Sequence, residues 1–394
     1  METLSAKSAI SFKAGWLVIF LIVLVSVSHA QIPLVKGDTL VLIEEAFNKI
    51  NPNPNFVIVP GPVYGNTAQL GFVILPVYFY NIDKKDMLSP PSSSAAMVFF
   101  DFHGSWTVAF NQSLYWGENK WRGFASAGYG KMNRRFFGIG NDTVVLSNDP
   151  EQFFWSDIDG GFLSVSCYRR LFRSFYGGLE YGLQNYTIDA DDTANYGSLM
   201  EGGINPGEKI VTSILIPSLV WDSRNDIFWS NRGYYATLNF HYSDSFFSDV
   251  NEFQVIVGSV TGYHKLKGDN DRLTLAWYLY LQHGWGEIPY SRLAQYGSSD
   301  NVKGYRAGKY IDNSEIAAQV EVRRETWKFI ALGGYFGTGK VFPSPEKFGQ
   351  SVWLHFGGLR TYVNILPSRN IRLKLDFAIA RKDSGFYVGI GQGL

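Results

Sequence analysis

The sequence contains little of what stabilises many exported or catalytic proteins. One cysteine, Cys167, occurs in 394 residues, so an intramolecular disulfide framework is excluded. Charged residues make up only 18 %, and 35 Lys and Arg balance 35 Asp and Glu to a net charge of +0, so we expect no nucleic-acid partner. After residue 30 no apolar run reaches the length of a membrane-spanning helix.

Catalytic and metal-binding motifs are also lacking. The sequence has no Gly-x-Ser-x-Gly elbow, no Walker or dinucleotide glycine pattern and no HExxH spacing among its histidines. We therefore expect no catalytic residue, no cofactor and no metal. His241 with Ser243 and Asp244 is the best local cluster for an outer-membrane hydrolase, which is a third hypothesis beside the two given at the end of this section. The run Asp189–Asp192 lacks the rest of a calcium-loop signature and is interpreted as a solvated turn.

The N-terminus has the features of an export signal. Lys7 and Lys13 precede the apolar run Ala14–Ser28, and Ser28-His29-Ala30 is a small-x-small cleavage pattern. Residues 1–30 are therefore predicted to be a signal peptide, residues 31–55 a short periplasmic lead-in, and residues 56–394 one domain. The alternative for the N-terminus is an anchor helix.

From residue 56 onward the chain reads as strands. Ile371, Leu373 and Leu375 alternate with Arg372, Lys374 and Asp376, and the same period of two recurs in runs of about ten residues, enough to cross a hydrocarbon core. A soluble sandwich also alternates, but charged residues on one face suit a wet lumen better than a dry core. We predict an all-β transmembrane antiparallel barrel.

A count of these runs gives about sixteen strands, the even number that bacterial barrels require. They are predicted at 56–64, 69–81, 94–103, 106–116, 120–131, 152–167, 175–188, 209–221, 232–243, 252–266, 272–286, 314–325, 329–341, 351–364, 370–382 and 385–393. With both ends in the periplasm, the long connections face the cell exterior and the short ones face the periplasm. The exception is 82–93, a long periplasmic turn. The longest external connection, Glu287–Asn313, contains Val302-Lys303-Gly304-Tyr305-Arg306.

Four motifs in order make the chain resemble the bacterial surface antigen family, the superfamily of BamA and TamA. Val302–Arg306 resembles the family's V/I-R-G-Y/F tip of the sixth external loop. Asp222-Ser-Arg224-Asn-Asp226 followed by Gly233 is similar to its periplasmic D-x-R-x-N/D turn. Phe136–Asp142 resembles its FxGxGND stretch, and the runs from Arg372 and from Gly389 resemble its last two strands.

Two residues depart from the family pattern. The loop arginine is Lys303, and the aspartate expected in the thirteenth strand is Gly337, so the family's arginine–aspartate lock cannot form. We expect that the sixth loop still folds inward, with Lys303 or Arg306 held by inward partners. The predicted inward partners are Glu321, Arg323 and Asp376.

The resemblance implies a function without covalent catalysis. Family assembly factors carry POTRA modules before the barrel, whereas only about 25 residues precede the first strand here, as in a barrel-only branch. Such factors act at a weak seam between first and last strands. Pro60 and Pro62 in the first strand, with Gly389, Gly391 and Gly393 in the last, would weaken that seam.

Two functional hypotheses follow. The first is an outer-membrane barrel that assists insertion or translocation of outer-membrane components, with outer-membrane lipid, nascent outer-membrane proteins or periplasmic factors as partners. The alternative is a passive channel or structural barrel. Both place the chain in the bacterial outer membrane.

Overall fold

A computed structural model describes most of the chain from residue 55 onward. The described residues are 55–64, 70–140, 153–190, 205–244, 246, 248, 252–266, 272–297, 302–306, 308–327, 329–367 and 370–393. The predicted signal peptide, the lead-in up to residue 54, the end of the FxGxGND stretch and Asp191–Asp192 lie outside this part.

Eighteen strands are present in the described residues. They are β1 (Phe56–Tyr64), β2 (Leu70–Tyr80), β3 (Ser92–Asp101), β4 (Trp106–Trp116), β5 (Trp121–Phe136), β6 (Phe154–Phe172), β7 (Phe175–Ala190), β8 (Lys209–Asp222), β9 (Gly233–Ser243), β10 (Phe253–Leu266), β11 (Leu273–Gly286), β12 (Ala294–Tyr296), β13 (Tyr310–Asp312), β14 (Ser314–Glu325), β15 (Ile330–Phe342), β16 (Leu354–Leu366), β17 (Ile371–Ala380) and β18 (Asp383–Ile390). Short 3-10 turns cover Tyr290–Arg292 and Pro345–Gln350.

Sixteen of these described strands form one closed antiparallel barrel in chain order, and β1 meets β18 at the seam. The predicted barrel is therefore confirmed. The remaining two, β12 and β13, pair with each other inside the β11–β14 connection, which is the predicted sixth loop. We call the end where β1 begins and β18 ends the turn end, and the opposite end the loop end.

Most predicted strands agree with the structure within a few residues, but β5 runs further at the loop end, to Phe136, and β6 runs further at the turn end, to Phe172. Their ladder continues to the pair Phe136 and Phe154. The run of residues 132–136, which includes Arg134 and Arg135, falls in the predicted loop 132–152. Polar pairs hold it in the ladder instead: Asp157 accepts from Asn133 at 2.8 Å and pairs with Lys131 at 2.6 Å.

The two faces of the wall differ as the alternation predicts. In β17, Arg372, Lys374 and Asp376 are buried on the inner face, whereas Phe377 and Ile379 are more than half exposed on the outer face. Cys167 is exposed on the outer face. Among the described residues, no helix has the length and apolarity needed to span a membrane.

The long turn at 82–91, the exception to the short-turn rule, is organised by Asp86. Its carboxylate accepts from the amides of Leu88 and Ser89 and the Ser89 hydroxyl, and from the Glu118 amide of the next turn at 2.8 Å. These donors, the Ser89 hydroxyl foremost, lower the pKa of Asp86 to about 2.

Candidate functional site

The seam is the least paired junction of the barrel. β1 pairs with β2 at every position from Phe56 to Tyr64, but with β18 at a single position, Tyr64 with Phe386 near the loop end. Continuing that antiparallel register would place Pro62 opposite Val388 and Pro60 opposite Ile390. Since proline has no N–H, β1 has fewer donors where the ladder would continue.

Toward the turn end, side chains on the inner face close the seam instead of a ladder. Val59 of β1 belongs to a buried cluster that packs against Val388 and Ile390 of β18. A Cβ at Gly61 would lie only 3.0 Å from Val388, so the two strands approach closely there. Backbone pairing is weak at this end, while apolar contact is retained.

The tip of the β11–β14 loop contacts β18, the last strand of the seam, near the loop end of the barrel. Val302 and Tyr305 are buried among inner-face residues of β15 to β17. The Gly304 amide donates to the Tyr387 hydroxyl at 3.1 Å, and the Tyr305 hydroxyl donates to the His355 carbonyl at 2.7 Å. Gly304 has a φ of 93°, and a Cβ there would be 3.1 Å from Ala380, so the contact requires glycine.

The ion pairs of this tip differ from those predicted. Arg306 pairs with Asp383 at the start of β18 at 3.1 Å, and the buried Lys309 pairs with the same carboxylate at 2.8 Å. The expectation that Arg306 pairs with Glu321 or Asp376 is therefore wrong. Lys303 is buried with its ammonium 4.6 Å from the Tyr387 ring centroid, a cation–π contact on β18.

Glu321 and Asp376 both pair with Arg360, which is not among the predicted site residues. Arg360 of β16 is fully buried and pairs with Glu321 at 2.9 Å and Asp376 at 2.7 Å. The Tyr335 hydroxyl donates to Asp376 at 2.6 Å and the Tyr362 hydroxyl to Glu321 at 2.5 Å. The four carboxylate oxygens thus have charged or hydroxyl donors within the wall itself.

The other side of the loop contacts the described part of the FxGxGND stretch, residues 136–140. The Gly140 amide donates to the Ile311 carbonyl of β13 at 2.6 Å. Phe136 and Ile311 share a buried cluster with Tyr290 and Ile188. The described part of the loop therefore contacts β5 and β7 on one side and β15 to β18 on the other.

The turn between β8 and β9 is built by the second motif, and we call residues 223–232 the β8–β9 turn. Asp222 accepts from Arg122 and Arg224, both at 2.8 Å. Asp226 accepts from the amides of Phe228 at 2.7 Å and Trp229 at 3.1 Å. These contacts fix the turn and aim its next three residues.

Those three residues reach strands on both sides of the seam. Phe228 packs edge-on against Phe79 of β2, with centroids 5.9 Å apart, and joins the buried cluster at the seam. Trp229 is buried against Tyr362 of β16 at 4.8 Å. The Ser230 amide donates to the Gln392 side chain, just after β18, at 2.8 Å.

Two buried arginines lie on the indole of Trp229. The guanidinium carbons of Arg323 and Arg372 are 4.0 and 3.9 Å from its ring centroid, and its Nε1 donates to Glu325 at 2.5 Å. Arg323, predicted as a partner for the loop tip, thus contacts the β8–β9 turn instead. Arginine stacks well on indole because the guanidinium is planar and weakly hydrated.

Gly389 lies in β18 as predicted, whereas the other two glycines assigned to the last strand have other roles. β18 ends at Ile390, so Gly391 and Gly393 lie beyond it, which corrects the predicted range 385–393. Gly391 has a φ of 100°, which turns the chain. At Gly393 a Cβ would be 2.2 Å from a terminal nitrogen of Arg360, so the chain passes directly over the inner wall.

A polar cavity of about 390 Å³ lies along β4 to β9. Hydroxyl and amide side chains dominate its lining, among them Gln112, Ser126, Ser164, Thr237 and Asn239. Its charged members are already bonded, since Glu180 accepts from Ser164 and Arg122 pairs with Asp222. The cavity suits water and small neutral polar solutes.

The cluster selected for a hydrolase does not assemble. The Ser243 hydroxyl donates to the Ser213 carbonyl at 2.8 Å, and Asp244 accepts from Tyr242. His241 therefore has no hydroxyl nucleophile or carboxylate of this cluster as a bonded partner.

A closed sixteen-strand antiparallel barrel with a weakly paired seam is the architecture of an outer-membrane β-barrel. A family model for the Omp85 superfamily domain matches residues 156–393, more than half of the chain. The chain therefore belongs to the Omp85 superfamily. None of the described strands forms a POTRA module.

Solved structures support the same fold. The crystal structure of BamA from Haemophilus ducreyi lacking POTRA domains 1-3 matches with a TM-score of 0.53 and 12 % identity, over 85 % of this chain and 70 % of that one. CdiB from Acinetobacter baumannii matches at 0.55 and 10 %, over 85 % and 60 %. CdiB from Escherichia coli matches at 0.54 and 12 %, over 88 % and 68 %. No curated protein sequence matches the chain.

Proposed function

We propose that this barrel inserts or translocates outer-membrane components through the β1–β18 seam, without covalent catalysis. The observation that carries the proposal is the single paired position, Tyr64 with Phe386, beside two prolines. An edge with unpaired backbone groups can accept an incoming strand. The turn end would face the periplasm. The partners would be nascent outer-membrane proteins, periplasmic factors and outer-membrane lipid.

The sixth loop, in this proposal, folds into the barrel and holds β18 while the seam is closed. Support comes from its contacts with Asp383 and Tyr387, both on β18, and from the buried positions of Val302 and Tyr305. The loop therefore stabilises the last strand in the position where it meets β1. The anchor is the Asp383 pair with Arg306 and Lys309, in place of the family's arginine–aspartate lock.

The test is to lock the seam. In a Cys167→Ser background, Tyr64→Cys with Phe386→Cys places two thiols at directly paired positions, where a disulfide can form. The control is Thr237→Cys with Ser259→Cys, paired across β9 and β10 away from the seam. Cells depleted of the native chain are complemented with each variant, and the barrel and lipid content of their outer membranes is measured.

We expect depletion to change that content, the control pair to restore it, and the oxidised seam pair to fail until it is reduced. Full restoration by the oxidised seam pair would overturn the proposal.

The polar cavity favours a second candidate, a passive channel for small polar solutes. A channel predicts that depletion alters only small-solute uptake and leaves the content of other barrels and lipids unchanged. The same depletion experiment therefore separates the two functions.

A further inference from the structure

The β8–β9 turn lies against the seam at the end where the backbone ladder is missing. The single β1–β18 pair is at the loop end, and the turn contacts both sides of the seam at the opposite end. Phe228 packs on Phe79 of β2, and Ser230 is bonded to Gln392 after β18. A connection from the far wall thus bridges the first and last strands.

The β8–β9 turn buries residues that a surface connection would normally expose. Trp229 and Ser230 are buried, with 6 % and 0 % of their surfaces exposed, although they belong to a ten-residue connection. Arg323, 1 % exposed, has no hydrogen bond on any of its three nitrogens, and its contacts are the rings of Trp229 and Tyr263. Removing the indole would leave this charge without its closest neutral partner.

We propose that the β8–β9 turn is a latch that keeps the seam closed at the turn end, and that it must withdraw before β1 and β18 separate there. Phe228 supplies apolar contact across the seam, Trp229 fastens the turn to β14, β16 and β17, and Ser230 holds the segment after β18. The proposal rests on the proposed lateral opening and names the element that controls it.

The latch also explains the spacing of the sequence motif. Asp222 fixes the base of the turn through Arg122 and Arg224, and Asp226 aims Phe228 and Trp229 inward. Gly233 closes the turn with a φ of 97°, where a Cβ would meet the Ser223 carbonyl at 2.2 Å. The motif therefore builds a rigid support for the two aromatic residues.

The test measures seam opening directly, without any client. Hydrogen exchange of the β1 and β18 amides is followed by mass spectrometry in the full chain, folded in detergent or nanodiscs. Trp229→Ala is expected to speed exchange of these amides at least tenfold while β5 to β7 are unchanged. The control is Trp285→Ala, which removes an exposed tryptophan of β11.

Gln392→Ala is the second variant and remains informative if Trp229→Ala does not fold. It removes only the acceptor of the Ser230 amide, so we expect about fivefold faster exchange, the effect of one lost hydrogen bond. Unchanged exchange at the seam in the folded variants would overturn the latch. Because this readout is structural, a latch that fails here leaves the seam-locking result standing, and the reverse also holds.

Discussion

The ring of Phe356 occupies the space next to Gly337 in which the family's lock aspartate would lie. A Cβ at residue 337 would be 2.2 Å from the ζ carbon of this ring. Phe356 in turn packs against Tyr296 of the loop and Tyr335 of the wall, with centroids 6.3 Å apart in both pairs. Aromatic packing therefore fills the position at which the resemblance to the family places the lock aspartate.

Gly337→Asp should therefore loosen the sixth loop, because Phe356 has to leave its place. Trypsin, which cleaves after Lys303 and Arg306, reports the exposure of the tip. We expect at least tenfold faster cleavage in Gly337→Asp. Adding Lys303→Arg and Phe356→Ala recreates the family pair and the space for it, so cleavage should return toward the native rate. A native rate in Gly337→Asp alone would contradict this account.

Asp383 should be the strongest anchor of the loop. Asp383→Asn leaves the buried Lys309 and the partly exposed Arg306 without their carboxylate. Breaking a buried pair costs about 3 kcal/mol, or roughly 100-fold in the equilibrium for loop release. Tryptic cleavage at the tip should rise accordingly. Asp157→Asn is the control, because its pair with Lys131 is more exposed and worth about 1 kcal/mol or less.

The strand pattern could be read from sequence because the wall separates lipid from lumen, and each strand records this as a period of two. The position of Val302–Arg306 in the sixth loop followed from the count. β12 and β13 were missed because each has three residues, too few for a periodic signal. Their pairing depends on the loop being held against the wall.

The contacts of the site were harder to predict, since they join residues far apart in sequence. Asp383 was assigned to a turn and Lys309 to a loop, although both are buried. Trp229 follows a turn motif and has no pattern that indicates burial. The signal available in the sequence was glycine itself, which marks close approaches of the chain. At Gly337 and Gly393 another residue lies too close for a Cβ.

The prolines of β1 provide a test of the seam by addition instead of removal. Pro60→Val with Pro62→Val restores two N–H groups opposite Ile390 and Val388 in the continued register. We expect the ladder to extend and exchange of the β18 amides to slow at least tenfold. Pro76→Val is the control, since Pro76 lies in β2, opposite Ile58 of β1 and away from the β1–β18 seam. If the proposed function is right, the double variant should also complement depletion poorly.

The loop should respond to pH through Asp312 of β13. Burial is the main cause that raises the pKa of this carboxyl from 3.8 to about 6, and the Asn313 amide opposes it. The folded loop therefore binds more protons than the released loop between these two values. Its stability should be highest below about pH 4, fall as the pH rises to about 6, and stay level above that.

Asp312→Asn removes this titration and keeps a neutral side chain of similar shape. The variant should therefore hold the loop more firmly than the native chain at pH 7, and equally firmly near pH 4. Exchange of the β12 and β13 amides, corrected for the intrinsic effect of pH, measures the difference between the two chains. Because other carboxyls titrate in both, only this difference belongs to Asp312. A native loop as stable at pH 7 as that of Asp312→Asn would show that the charged carboxylate costs the loop nothing.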